Sequence, residues 1–183
     1  VTTFAIEQSL RTAAAVEAHW QIAQILELKG DAEAASLRYR SIYGEFPETL
    51  QGFEAPLRIA RNYRDKGESD AEKAALDDAM KHYEKLASGQ RAASTKIMAE
   101  QYIVRTLSEG ARWREAAERL LALPDRYPAY EPFRENYLRA ASIYESELGD
   151  RGGAIKALEE CVAKYPGTEL ASAAQKELAR LAR

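Results

Sequence analysis

"GDAEAASLRYRSIYGEFP" occupies residues 30–47, and "GDRGGAIKALEECVAKYP" occupies residues 149–166. Both open on Gly-Asp, place Ala sixth and a large apolar side chain tenth, and close on an aromatic residue followed by Pro. Each mark has a physical cause. Gly accepts the left-handed backbone that ends one helix. Asp31 and Asp150 are placed to cap the next helix by accepting a bond from a free backbone N–H. Ala35 and Ala154 let a paired helix approach closely, and Tyr39 and Leu158, one turn later, fill the space between helices. Pro then prevents continuation and biases its predecessor toward extended backbone.

The same unit recurs along the chain. Gly30, Gly67, Gly110 and Gly149 mark helix turns at intervals of 37, 43 and 39 residues, and Pro47, Pro128 and Pro166 close three of the units. An apolar-periodic segment precedes each glycine: "HWQIAQILELKG", "APLRIARNYRDKG", "AEQYIVRTLSEG" and "YLRAASIYESELG". A second one follows. Self-similarity at such a period signals stacked helix hairpins, none of which buries enough surface alone. Helices are expected over 3–29, 31–44, 49–66, 69–88, 91–109, 112–123, 130–148, 151–164 and 168–182. The expected repeats cover 3–47, 48–90, 91–128 and 129–166, with 168–182 as a capping helix or the first helix of a fifth repeat. No linker or low-complexity tract divides residues 1–183, so one all-α domain is expected.

Composition agrees and narrows the function classes. The 183 residues carry six Pro and ten Gly, too few for an all-β chain with a turn every ten residues. A formal charge of −3 gives no basic footprint for nucleic acid. No uncharged run reaches the roughly 18–20 residues of a bilayer span. The single Cys161 excludes an internal disulfide and a cysteine-based zinc cage, and suits cytoplasm or periplasm equally. The first residue is Val1, as in a processed or trimmed chain, so a signal peptide or lipid anchor stays an open expectation.

The pattern resembles the tetratricopeptide repeat. Ala23, Gly30, Asp31, Ala35, Tyr39 and Pro47 match the family's marks in the first unit, with Ile42 in place of a small residue. Gly149, Asp150, Ala154, Leu158, Cys161 and Pro166 match in the last. In the second unit Ala60, Tyr63 and Gly67 fit, then "ESDAEKA" precedes Ala79, Tyr83 and Leu86. Such a seven-residue insertion is about two helical turns and keeps the apolar face in register. The third unit is the loosest, with Ala99, Tyr102, Gly110, Ala116, Leu120 and Pro128. The resemblance implies a right-handed superhelical solenoid that binds a protein or peptide partner without catalysis. The phrase "YPGTELASAAQKEL" at 165–178 looks like the repeats of bacterial envelope proteins, such as the lipoprotein of the outer-membrane barrel-assembly machine and the Tol-Pal coordinator. That likeness implies a periplasmic or outer-membrane setting.

No residue constellation points to chemistry, so no catalytic residue, metal or cofactor is expected. His19 and His82 lie on helices of different units, without an HExxH or a nearby acid–imidazole trio, and read as packing or surface residues. Cys161 falls at a core position, where a free thiol behaves as a small hydrophobe. Most of the ten tyrosines fall at core positions or in Tyr-Pro stops; Tyr130 and Tyr137 do not. Trp113 is expected near a seam between repeats.

The resemblance implies that the first helix of each hairpin lines a groove. The implied residues are Glu17, Trp20, Gln24 and Glu27, then Glu54, Leu57, Arg61 and Arg64, then Leu138 and Ser142. Arg58, Arg61 and Arg64 return every three residues and share one helix face. Their guanidinium groups are suited to fork onto a peptide carboxylate; the alternative is pairing with neighbouring acids such as Glu54 and Asp65. The Lys and Asn places of the family's chaperone-binding clamp hold Trp20 and Gln24 here, so a cochaperone role is not implied. Self-association through end helices, and service as the accessory repeat region of a larger multidomain protein or enzyme, are further expectations.

Overall fold

A computed structural model describes residues 3–182, with side chains from residue 12 onward. Among the described residues every regular element is helical. The α-helices are α1 (Thr3–Leu28), α2 (Ala32–Glu45), α3 (Leu50–Asp65), α4 (Ser69–Ser88), α5 (Ala93–Glu109), α6 (Trp113–Arg126), α7 (Asn136–Ser146), α8 (Arg151–Lys164) and α9 (Glu169–Leu181). A short 3-10 helix, Glu131–Glu135, precedes α7. By compactness the chain divides into residues 1–102 and residues 103–183. Within the first unit α1 packs on α2, α2 on α3 and α3 on α4; within the second, α6 packs on α7, α7 on α8 and α8 on α9. Each unit is therefore a stack of helix hairpins in sequence order, as the repeat predicts.

The recurring marks act as their chemistry requires. Asp31 Oδ1 accepts the Ala34 N–H at 3.0 Å, and Asp150 Oδ1 accepts the Gly153 N–H at 2.8 Å. The small residues Ala35, Ala116 and Ala154 are fully buried, and so are Tyr39 and Tyr83; Leu120 and Leu158 are 1% exposed. Gly30 and Gly67 are left-handed, at φ 78° and 73°. Around Gly30 the Gly30 N–H bonds to Glu27 O and the Asp31 N–H to Leu26 O, which satisfies the last carbonyls of α1. The inserted "ESDAEKA" is absorbed into α4, which runs 20 residues against 14 in α2 and α8.

Aromatic-Pro does more than stop a helix. At residues 46–49 the Thr49 hydroxyl donates to Phe46 O at 2.8 Å and accepts the Gly52 N–H at 3.0 Å. At residues 165–168 the Thr168 hydroxyl donates to Tyr165 O at 2.6 Å and accepts the Ala171 N–H at 3.2 Å. One hydroxyl thus closes the old helix end and caps the new one. Behind the first corner, a Cβ on Gly52 would lie 2.0 Å from Phe46 O, so only glycine permits this approach.

Three details differ from the sequence expectation. The left-handed residue of the third turn is Ala111, at φ 54°, and not Gly110. There the Ala111 N–H bonds to Ser108 O and the Arg112 N–H to Leu107 O, the pattern seen around Gly30 but set one residue later. The helix expected to end at residue 123 continues through Pro124 to Arg126. Proline in the last turn removes one backbone bond and keeps a helical φ, so the stop waits for Pro128. The helix expected over 130–148 opens as 3-10 backbone with Pro132 in its first turn, anchored by buried Phe133 against Tyr130 at 4.8 Å and Tyr127 at 5.7 Å.

Candidate partner-binding groove

In the first unit, the face carried by α1 and α3 is laced with polar contacts. Glu17 accepts from Gln21 at 2.9 Å and from Gln51 at 3.4 Å. Arg58 forks onto Glu27, with Nε at 3.0 Å and Nη2 at 2.8 Å, and the Glu27 side chain is only 9% exposed. The hydrogen bonds that Arg58 donates to Glu27 outweigh burial and hold Arg58 above its ordinary pKa. Arg61 donates to Glu54 at 2.9 Å, and Glu54 also accepts from the Tyr102 hydroxyl at 2.9 Å. Arg64 donates to Glu72 at 2.6 Å.

All three arginines of the row therefore meet carboxylates of their own chain. Glu54 was legible as a partner; Glu27 and Glu72 take the other two arginines, and Asp65 takes none. Leu57 is a correction: it is fully buried and offers no surface, because Arg58 holds the outward position on that turn of α3. Trp20 is half-buried, its ring meeting Tyr39 edge-on at 5.1 Å, while Gln24 is exposed.

The second unit presents a different surface. Between α7 and α9 lies a hollow of about 410 Å³, with Leu138, Ala141, Leu158, Ala173 and Leu181 among its lining residues. Small side chains at Ala141 and Ala173 leave the space, and larger aliphatic ones give it apolar walls. Ser142, Glu145, Lys176, Glu177 and Arg180 supply its polar groups. Arg180 Nη1 donates to Glu145 at 2.9 Å and Nε to Glu177 at 2.7 Å, an ion-pair network between α7 and α9. Hydrogen bonding from Arg180 holds the Glu145 carboxyl below its usual pKa. Leu138 and Ser142, named from the sequence, both lie here. Ala173, Lys176, Glu177 and Arg180 were missed, although three- and four-residue spacing on α9 marks them as one face.

Cys161 is buried, and burial pushes its thiol pKa up. His82 is half-buried against Tyr43 at 4.9 Å and Tyr83 at 5.5 Å, with Nε2 buried and unpartnered. Burial, aided by Lys85, lowers its pKa to about 4. Tyr137 is fully buried, and its hydroxyl accepts from Lys164 at 2.7 Å. Trp113 is half-buried at the start of α6. Among the described residues no group of His, Cys, Asp or Glu is placed to hold a metal ion, and no helix is long and apolar enough to cross a membrane.

The tetratricopeptide repeat family model matches residues 135–168, which contain α7 and α8. In fold the chain is similar to the nearly identical TPR-like repeats of a Podosopora anserina protein named as a putative kinesin light chain. That likeness has a TM-score of 0.52 and 17% identity, over 91% of this chain and 85% of that one. The crystal structure of MamA is more distant, with a TM-score of 0.40 and 20% identity over 88% of each chain. No curated protein sequence matches the chain. Residues 135–168 thus match the tetratricopeptide repeat model, and the chain as a whole has a TPR-like fold of helix hairpins.

Proposed function

We propose that this protein is a non-catalytic interaction module that takes an apolar side chain of a peptide or protein partner into the α7–α9 hollow. One observation carries the proposal: an open recess of about 410 Å³ with apolar walls and a charged rim, lined on one side by the hairpin that matches the family model and on the other by α9. Concave, mostly apolar surfaces with a few convergent polar groups are where ligands bind. Leu138 and Ser142 are the sequence-derived contacts at this site. On the α1–α3 face of the other unit, half-buried Trp20 and exposed Gln24 are among the groups available to a partner. Arg58, Arg61 and Arg64 contribute there only by exchanging Glu27, Glu54 and Glu72 for a partner's carboxylate.

The test is peptide selection on the full chain, followed by anisotropy titration of the selected peptides. Ala173→Arg, which fills the hollow, is expected to weaken binding at least tenfold, whereas Lys73→Ala on α4 leaves it unchanged. Selected peptides that bind the filled variant as tightly as the original protein would refute the site. The setting we propose is the bacterial envelope, supported by the phrase at residues 165–178. A signal peptide or lipid-attachment site in the full reading frame supports that setting, and a fused catalytic domain argues for the accessory-region alternative.

A further inference from the structure

Three large aliphatic side chains of α1 face solvent: Ile22 is 41% exposed, Ile25 50% and Leu28 89%. By the turn of the helix they share a side with exposed Ala14, Ala18 and Gln21, away from buried Val16 and Ala23. Ala14, Ala18, Gln21, Ile25 and Leu28 recur at steps of four, three, four and three, the spacing of a seam between two helices. A surface helix ordinarily carries one apolar stripe, but α1 is apolar on both sides. The last helix, α9, contrasts with it. Its outer side shows exposed Ser172, Gln175, Lys176 and Ala179, the polar kind of face that ends a helical array.

The grading of the seam selects the occupant. Its small members, Ala14 and Ala18, lie in the N-terminal half, its large ones, Ile25 and Leu28, in the C-terminal half, and Gln21 between them. Such a surface complements its own copy turned end for end, which sets Ala14 opposite Leu28 and Ala18 beside Ile25. Pairing in the same direction sets alanine against alanine and leaves a gap without partner atoms. The edges fit the antiparallel arrangement too. Glu17 and Lys29 border opposite edges of the seam, so Glu17 comes beside Gln24 and Lys29 beside Ala15, with no like charges together. Gln21, the one polar member, donates to Glu17 at 2.9 Å and enters the seam already bonded. A single polar residue in such a seam fixes its register.

We propose that two copies of this protein pair through the outer faces of their α1 helices, antiparallel, about a two-fold axis at Gln21. The seam runs about 21 Å from Ala14 to Leu28. That is short for the roughly 800 Å² per partner of a standard interface, so a dissociation constant of about 10–100 μM is expected. No residue of the α7–α9 recess takes part, so the pairing stands or falls apart from the binding role proposed above.

The experiment is sedimentation equilibrium of the full chain from about 5 to about 500 μM, where a monomer–dimer equilibrium is expected. Ile25→Glu is expected to weaken association at least tenfold while leaving the urea midpoint of the dilute protein level, because residue 25 is half-exposed. Ala179→Glu, on the outer side of α9, is expected to leave association unchanged. Direction is read by mixing Ala14→Cys and Leu28→Cys variants under mild oxidation; they should cross-link to each other several times faster than either does to itself, and buried Cys161 does not compete. A chain that stays monomeric at the highest concentration overturns the proposal and leaves the strip to a different partner. So do a dimer that Ile25→Glu does not weaken and an Ala14→Cys variant that links to itself in preference to Leu28→Cys.

Discussion

Replacing Ala111 by Gly is expected to stabilise the protein, although glycine ordinarily weakens it. Ala111 has φ 54°, where its Cβ crowds the backbone, and is exposed, so truncation sacrifices little packing. Left-handed backbone costs an L-residue about 1–2 kcal/mol. The extra freedom glycine gives the unfolded chain takes back roughly 0.4–1 kcal/mol. The net gain is about 0.5–1 kcal/mol, or roughly 1–4 °C in the unfolding temperature of a domain this size. The reverse change supplies the control. A Cβ on Gly30, at φ 78°, would meet nothing within 4 Å, so Gly30→Ala isolates backbone strain from steric clash. It is expected to destabilise by a similar amount. Urea titration by circular dichroism measures both. A lower midpoint for Ala111→Gly, or a higher one for Gly30→Ala, would show that left-handed strain does not govern these turns.

Arg58→Met is expected to cost about 1–3 kcal/mol, because it strands the largely buried Glu27 carboxylate; adding Glu27→Gln should recover much of the loss in a double-mutant cycle. Stability should also fall with acid through His82. The folded imidazole stays neutral down to about pH 4, whereas the unfolded one binds a proton below about pH 6.5. The stabilisation is therefore complete above the unfolded pKa and is lost as pH falls toward the folded one. With the ring's partial exposure allowed for, about 1 kcal/mol should disappear between pH 7.5 and 5, and His82→Phe should remove this component from the pH dependence of the urea midpoint. Cys161, buried and with a raised pKa, should react with a thiol reagent at pH 8 only as the chain opens; rapid stoichiometric labelling of the native protein would contradict its core placement.

The features legible in the sequence are those whose causes are local. Asp31 and Asp150 cap because they precede a helix start, and Ala35 and Ala154 are buried because the turn beside them fixes where two helices cross. Ala111 was hidden by its neighbour: Gly110 drew the expectation, but the carbonyls of Leu107 and Ser108 close the turn one residue later. Family spacing put Leu57 on the groove, yet the rotation of α3 turns Arg58 outward and Leu57 inward. Arg58 also finds Glu27, 31 positions earlier, a pairing made by the stacking of α1 and α3 and invisible to neighbour spacing. The α7–α9 recess escaped notice for a related reason. Ala173 looks like any helix-favouring residue until it lines the same recess as Ala141.

The doubly bonded threonines at 49 and 168 have a consequence for how such chains vary. Because one hydroxyl fixes the exit of one helix and the entry of the next, the bend is set within four residues. A hairpin can then lengthen, as the one ending in α4 has, without redirecting the helix that follows such a corner. Insertions in whole turns should therefore be absorbed between these joints, and substitutions at the joints themselves should be the ones that steer the chain astray.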